Sequence, residues 1–224
     1  GILLEAKSFG ADGSVAGEIV FNTSLTGYQE IMSDPSYAGQ FVTFTMPEIG
    51  IVGVNDEDME SKKAHAKGMI VRNYHERYSN FRARGELAVF LKEQGVMGIC
   101  NIDTRFLTKL IRKEGAMMMI ASTEFSDKAT LKAMLENSPR IEAVNYIEQV
   151  STKSSYIHSS STYSKTSFCY EDAPTQEAKI VVLDFGVKRN ILNELVAAGI
   201  GVEVVPNSFM ADDLIARFAN KEID

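Results

Sequence analysis

Two cysteines and three histidines are candidate nucleophiles, bases or metal ligands in this chain. Cys100 lies in an apolar segment, which is typical of a small core side chain rather than a reactive thiol. Cys169 lies in a serine-rich stretch, which offers neither a helix N-terminus nor a paired base to lower the pKa of a thiol. The histidines lack the spacing of zinc ligands; they are His65, His75 and His158. These residues therefore predict neither a nucleophile nor a metal centre.

Other motifs that bind metals or phosphates fail on their spacing. An acidic run begins at Asp56, but a calcium loop in this register would need glycine in place of Ser61 and glutamate in place of Lys67. Neither G-x-x-x-x-G-K-[ST] nor G-x-G-x-x-G occurs. Asp184-Phe185-Gly186 copies a kinase tripeptide but lacks the upstream H-R-D-x-x-x-x-N. We therefore expect this chain to bind no metal and no cofactor, ATP included.

The tripeptide Asp103-Thr104-Arg105 allows two interpretations. In one, a catalytic acid stands beside a substrate-binding arginine. In the other, Asp103 is the N-cap of a helix with an ion pair nearby, because a capping aspartate accepts a hydrogen bond from the first helical turn. Apolar residues follow at helical spacing, among them Leu107 and Ile111, and this pattern favours the helix cap.

Residues 13–40 (GSVAGEIVFNTSLTGYQEIMSDPSYAGQ) combine several special backbone positions. The β-branched and aromatic side chains over residues 18–24 predict a strand. Thr26 and Gln29 have the spacing of a capping box, in which each side chain satisfies a backbone N–H group of the other residue. A short helix is expected to follow them.

A turn that presents a serine is predicted after that helix. Asp34 precedes Pro35, and the proline ring disfavours helical backbone in the residue before it. Ser36 and Tyr37 are thus expected on a loop just before a second strand over residues 40–45. On residue types alone, Ser36 is an ordinary turn serine.

Four long segments resemble the small, glutamine-hydrolysing subunit of carbamoyl-phosphate synthetases. They follow one another in order over nearly the whole chain. They are residues 13–40, HAKGMIVR at 65–72, GICNIDTRFLTKLIRKEGA at 98–116 and KIVVLDFGVKRNIL at 179–192. The last of these is similar to the opening of that family's glutamine amidotransferase domain.

The resemblance implies a function for the chain and a role for one residue. Ser36 matches the family position whose side chain reaches the substrate glutamine. The catalytic cysteine, histidine and glutamate are expected after Asp224, because this chain has no G-x-C-x-G elbow. In that family the subunit supplies ammonia to a large partner subunit, which binds ATP and magnesium and makes carbamoyl phosphate. The alternative is a non-catalytic docking module for a synthetase-like partner.

The chain divides at a change of composition. Eleven of the seventeen residues 151–167 are serine or threonine, too few apolar side chains for a core, so residues 151–178 are predicted to be an interdomain connector. Residues 1–150 predict a mixed α/β domain, which the resemblance implies is the family's swivelling β/β/α type. Residues 179–224 alternate strand and helix, which predicts the start of a doubly wound, flavodoxin-like domain. Two parallel strands cannot bury both faces, so this domain is expected to be incomplete.

Composition limits the partners and the compartment. The net charge of −7 and the pI near 5.1 argue against binding of nucleic acid or of an anionic membrane. No apolar run approaches the roughly 18 residues of a membrane-spanning helix. Two cysteines in unrelated contexts fit a reducing compartment, so a cytoplasmic protein is expected. The chain opens on strand-like Ile2-Leu3-Leu4 without a secretory leader, and further residues are expected upstream.

Overall fold

The computed structural model describes residues 1–224 and divides into two compact units, Gly1–Val144 (unit 1) and Asn145–Asp224 (unit 2). Both units combine helices and strands, so the chain is a mixed α/β protein. The division follows Val144, whereas the sequence analysis placed it after residue 150. None of the helices has both the length and the apolar character needed to cross a membrane.

Unit 1 is built around a six-stranded sheet. The unit has eight strands: β1 (Lys7–Ser8), β2 (Ser14–Asn22), β3 (Gln40–Phe44), β4 (Glu48–Ile49), β5 (Gly68–Ile70), β6 (Asn73–Tyr74), β7 (Met97–Cys100) and β8 (Met117–Ser122). Of these, β4 and β6 form a separate parallel pair. Its helices are α1 (Tyr28–Ser33), α2 (Leu87–Glu93), α3 (Thr104–Glu114) and α4 (Lys128–Glu136). Two 3₁₀ turns, Pro35–Tyr37 and Ile141–Ala143, complete the unit.

The strand order of the large sheet is β1-β7-β5-β3-β2-β8. The four inner strands are parallel, and the two edge strands are antiparallel to their neighbours. A parallel inner strand is covered on both faces, and neighbouring residues of β3 accordingly pack on opposite sides. Phe41 packs with Leu107 and Ile111, whereas Val42 belongs to the cluster that contains Met32 and Leu91. Helix α3 thus covers one face of the sheet, and α1 and α2 cover the other.

Unit 2 contains a three-stranded sheet. Its strands are β9 (Tyr156–His158), β10 (Tyr163–Ser164), β11 (Cys169–Tyr170), β12 (Ala178–Asp184) and β13 (Ile200–Pro206), and its helices are α5 (Ile147–Val150), α6 (Arg189–Ala197) and α7 (Ala211–Ala219). The order in the sheet is β12-β13-β9, with β12 and β13 parallel and β9 antiparallel to β13. Strands β10 and β11 form a separate antiparallel pair.

The serine-rich stretch contributes a strand to unit 2. Strand β9 lies within residues 151–178, and its His158 is 9 % exposed and bonded to Asn193 of α6 at 2.8 Å. Strand β9 is only three residues long and is flanked by serines, so the sequence has no alternating pattern that would predict it. It is recognisable only through its pairing with β13. The segment expected to be a connector is therefore part of the folded unit at β9, and the sheet has three strands rather than two.

Asp184, the first residue of the kinase-like tripeptide, has a structural role. It is 6 % exposed and lies at the carboxyl end of β12. One carboxylate oxygen accepts hydrogen bonds from the backbone N–H groups of Gly186 and Val187 at 2.9 and 3.0 Å. The other oxygen accepts from the N–H of Thr152 at 2.6 Å. The aspartate therefore shapes the turn into α6 and holds the chain that leads to β9.

Candidate functional site

Ser36 lies in the 3₁₀ turn Pro35–Tyr37, between α1 and β3 of unit 1. Its side chain is exposed, and its hydroxyl makes no hydrogen bond to another residue of the chain. A serine hydroxyl can both donate and accept, so this one is available to a polar ligand. The turn that the sequence predicts at Asp34 and Pro35 is confirmed.

Local hydrogen bonds determine the shape of this turn. Asp34 is 5 % exposed, and its Oδ1 accepts a hydrogen bond from the Ser36 N–H at 2.9 Å. The Tyr37 N–H donates to the Asp34 carbonyl at 3.1 Å. Pro35 occupies the first position of the turn, where its fixed φ is suitable and its missing N–H leaves no donor unsatisfied. The turn is thus held by its own residues.

Helix α1, which precedes the turn, is attached to the loop between β4 and β5 by buried polar side chains. The Gln29 amide donates to the Asn55 carbonyl and accepts from the Asn55 N–H at 3.0 Å, and both residues are 4 % exposed. The Tyr28 hydroxyl donates to the Gly53 carbonyl at 2.6 Å. Ser33 Oγ accepts from the Glu60 N–H at 2.9 Å. These bonds fix the helix from which the Ser36 turn extends.

The capping box predicted at Thr26 and Gln29 is wrong. The N-cap of α1 is Gly27, with φ of 81°, and no side chain caps the helix. The Gln29 amide is directed into the protein, towards the Asn55 backbone, and is therefore not available to the helix start.

Burial governs the electrostatics around α1. It is the largest cause that raises the pKa of Tyr28, whose hydroxyl therefore remains protonated and able to donate to Gly53. Burial also raises the pKa of Glu30, with smaller contributions from the carboxylates of Asp58 and Glu60. Arg82 Nη2 lies 2.7 Å from Asp58 Oδ1, and the positive charge of Arg82 opposes the rise in the pKa of Glu30.

Asp103 is a helix cap, as the favoured interpretation predicts. Its Oδ1 accepts a hydrogen bond from the Phe106 N–H at 3.0 Å at the start of α3. Arg105 is exposed and forms no ion pair with Asp103, so the nearby ion pair is absent. The tripeptide therefore begins and caps helix α3.

Neither cysteine of the chain has a neighbouring base. Burial raises the pKa of the Cys100 thiol, and the Lys7 charge opposes this shift only in part. Cys169 is exposed in β11, and its Sγ donates to Ser167 Oγ at 3.2 Å. His75 is paired with Glu48 in unit 1. No cluster of three or more histidine, cysteine or carboxylate side chains is arranged to hold a metal ion.

Comparison with known proteins identifies the family. A family profile described as "Carbamoyl-phosphate synthase small chain, CPSase domain" matches residues 1–121, which is more than half of the chain. The chain belongs to the carbamoyl-phosphate synthase small-chain family. The matched residues include the first three of the four segments that carry the resemblance in the sequence, so the resemblance is confirmed.

Curated relatives named "Carbamoyl phosphate synthase small chain" match most or all of this chain. The small chain of Helicobacter hepaticus is 53 % identical over 100 % of this chain and 59 % of its own length. That of Campylobacter jejuni is 50 % identical over 99 % of this chain and 60 % of its own length. That of Aquifex aeolicus is 46 % identical over 89 % of this chain and 53 % of its own length. The chain therefore spans about 60 % or less of these relatives.

Proposed function

We propose that this chain is part of the glutamine-hydrolysing subunit of a carbamoyl-phosphate synthetase. Membership of the small-chain family supports the proposal. The observation that carries a role for this part of the subunit is the exposed Ser36 hydroxyl, which is unbonded on a turn with fixed neighbours. In this proposal Ser36 is the glutamine-binding residue of the chain.

The proposed reaction is covalent catalysis by a thiolate. A cysteine attacks the side-chain amide of glutamine, ammonia leaves, and water hydrolyses the glutamyl thioester to glutamate. We place this cysteine and its partner histidine and glutamate in the sequence that follows Asp224 in the full-length subunit. Ser36 contributes a hydrogen bond that orients the substrate. No step of this scheme requires a metal or a cofactor in the small chain.

The proposed partner is the large synthetase subunit, which binds ATP and magnesium and uses the ammonia with bicarbonate to make carbamoyl phosphate. The product would serve arginine and pyrimidine biosynthesis in the cytoplasm. In this proposal residues 1–150 are the family's swivelling β/β/α domain. Residues 179–224 begin a doubly wound, flavodoxin-like class I glutamine amidotransferase domain. The parallel pair β12–β13, with α6 between the two strands, supports the second assignment.

Substitution of Ser36 by alanine in the full-length subunit tests the role of the hydroxyl. We expect a loss of about 1 kcal/mol in glutamine binding, or up to roughly 3 kcal/mol if the hydrogen bond is to a charged group. The KM for glutamine should therefore rise about fivefold or more, while synthesis from added ammonia is unchanged because that route bypasses the glutamine pocket. Steady-state kinetics with both nitrogen donors measure the effect.

Ser126→Ala is the matched control, because Ser126 is an exposed serine of the same unit, remote in sequence from the turn. This variant should leave the KM for glutamine unchanged. Equal damage by Ser36→Ala to the glutamine-dependent and ammonia-dependent reactions would contradict the proposal, since it would indicate a role in folding or docking.

Unit 1 is expected to carry the surface that binds the large subunit. Among the residue types suited to such a surface, Tyr28 is excluded because it is 5 % exposed, whereas Arg72 is exposed and Tyr37 is half-buried. A pull-down of the large subunit by residues 1–144 should reach nearly the level obtained with the full-length small subunit. Binding that appears only when residues 145–224 are restored would refute this expectation.

A further inference from the structure

The position of Ser36 depends on more than the shape of its turn. The bonds from Ser36 and Tyr37 to Asp34 lie within the turn itself, and they would survive a movement of the whole turn relative to the sheet. A side chain that orients a substrate must be held to within about 0.5 Å. A fixed position for Ser36 therefore requires a bond between the turn and an element that does not move with it.

Such a bond joins Tyr37 to Asn22, the last residue of β2. Asn22 Nδ2 donates to the Tyr37 hydroxyl oxygen at 3.0 Å, across a separation of fifteen residues. Tyr37 directly follows Ser36 and its ring packs against the buried cluster of unit 1, so a ring held at both its face and its hydroxyl restricts the backbone that carries the serine. This bond connects the turn to an inner strand of the sheet.

Asn22 is held through both its backbone and its side chain. Its backbone is paired with Phe44 in the parallel β2–β3 ladder, and its carbonyl accepts from the Thr45 N–H at 3.1 Å. Its Oδ1 accepts from the Ser24 N–H at 2.8 Å. Because a backbone N–H can only donate, this bond identifies the amide oxygen and leaves the amide NH₂ group to face Tyr37. The amide is therefore a rigid donor.

We propose that Tyr37 is a positioning residue for glutamine binding: held by Asn22, it keeps Ser36 at a fixed place relative to the sheet. The inference rests on the proposed function of Ser36. It assigns no contact between Tyr37 and the substrate, so Tyr37 acts only through its neighbour. Loss of the bond leaves the turn folded but free to shift, which weakens glutamine binding without affecting the reaction of added ammonia.

The test uses Tyr37→Phe in the full-length subunit assembled with the large subunit. Loss of one neutral hydrogen bond should raise the KM for glutamine about threefold to tenfold, with kcat from ammonia unchanged. Tyr74→Phe is the matched control: Tyr74 is also a half-buried tyrosine of unit 1, and its hydroxyl donates to Glu86 Oε1 at 2.6 Å. The control should leave the KM for glutamine unchanged.

Variants of Asn22 separate positioning from general stability. Asn22→Ala removes the donor and should raise the KM for glutamine as Tyr37→Phe does. Asn22→Asp should rescue the KM, because the Tyr37 hydroxyl can then donate to the carboxylate while the other oxygen still accepts from Ser24. The rescue should be lost when Asn22→Asp is combined with Tyr37→Phe.

The Ser36→Ala variant distinguishes this proposal from the proposed function. If Ser36→Ala raises the KM for glutamine and Tyr37→Phe adds no further increase to it, Tyr37 acts through Ser36. If Ser36→Ala raises the KM and Tyr37→Phe alone does not, the positioning proposal is overturned and the proposed function stands. If Ser36→Ala leaves the KM unchanged, the glutamine-binding role and the positioning role are both overturned. Equal loss of glutamine and ammonia reactions in Tyr37→Phe also overturns the positioning role.

Discussion

Substitution of Gln29 by alanine is expected to lower the free energy of unfolding of unit 1 by about 2 to 6 kcal/mol. The Gln29 amide satisfies both the N–H and the carbonyl of Asn55, and both residues are 4 % exposed. Alanine would leave two buried backbone groups without partners, and each such group costs about 1–3 kcal/mol.

Urea unfolding of the chain, followed by circular dichroism, measures this loss. Leu192 lies in the core of unit 2, so a Leu192→Ala substitution should lower the urea midpoint of unit 2. The transition whose midpoint is unchanged in that variant is the one that belongs to unit 1. The control is Gln40→Ala, which removes a part-buried bond from the Gln40 amide to Glu18 at 2.7 Å. The bond is part-buried, so water can solvate Glu18 in the variant and a smaller loss than in Gln29→Ala is expected there. Equal losses in the two glutamine variants would contradict the argument.

Amide exchange gives a second and more local measurement. The Asn55 N–H donates to Gln29 Oε1 in the folded chain. In Gln29→Ala this amide has no partner, so it should exchange faster than in the unchanged protein even where the fold is intact. Protection of Asn55 that is undiminished in the variant would show that another group has taken over the bond.

Features that depend on neighbouring residues were accessible from the sequence. Helix α3 begins with the predicted aspartate cap and is followed by Gly115, whose φ of 84° suits a glycine after a helix. The turn at Asp34-Pro35 likewise follows from the restriction that proline places on the residue before it. These signals act within one turn of the chain, and in both places the hydrogen bond that they predict is made within that turn.

Features that depend on distant partners were not accessible. Gln29 has the local spacing of a capping residue, but its partner Asn55 lies 26 positions away and determines its conformation. Strand β9 is three residues long and exists because β13 offers an edge. The Tyr37–Asn22 bond crosses fifteen residues. The residue type and the turn at Ser36 could be predicted, whereas the attachments that fix its place could not.

The polypeptide of residues 1–224 is expected to release no glutamate from glutamine above the uncatalysed rate. Hydrolysis of an amide by this route requires a thiolate and a base in hydrogen-bond reach of it. Burial raises the pKa of the Cys100 thiol and so disfavours its thiolate. The exposed Cys169 donates to Ser167, and the nearby unit 2 histidine, His158, is bonded to Asn193.

Glutamate release from the purified polypeptide measures this activity, with the full-length subunit as the positive control. The full-length subunit should turn over glutamine, and faster when the large subunit is bound. Cys100→Ser and Cys169→Ser variants of residues 1–224 should be indistinguishable from the unchanged polypeptide, because burial disfavours the Cys100 thiolate and Cys169 is bonded to a serine. Turnover by residues 1–224 that Cys169→Ser abolishes would refute the argument, since it would place an activated thiol in the serine-rich stretch. Glutaminase activity in the full-length subunit would in turn exclude the purely docking role, because a docking module alone has no thiolate to offer.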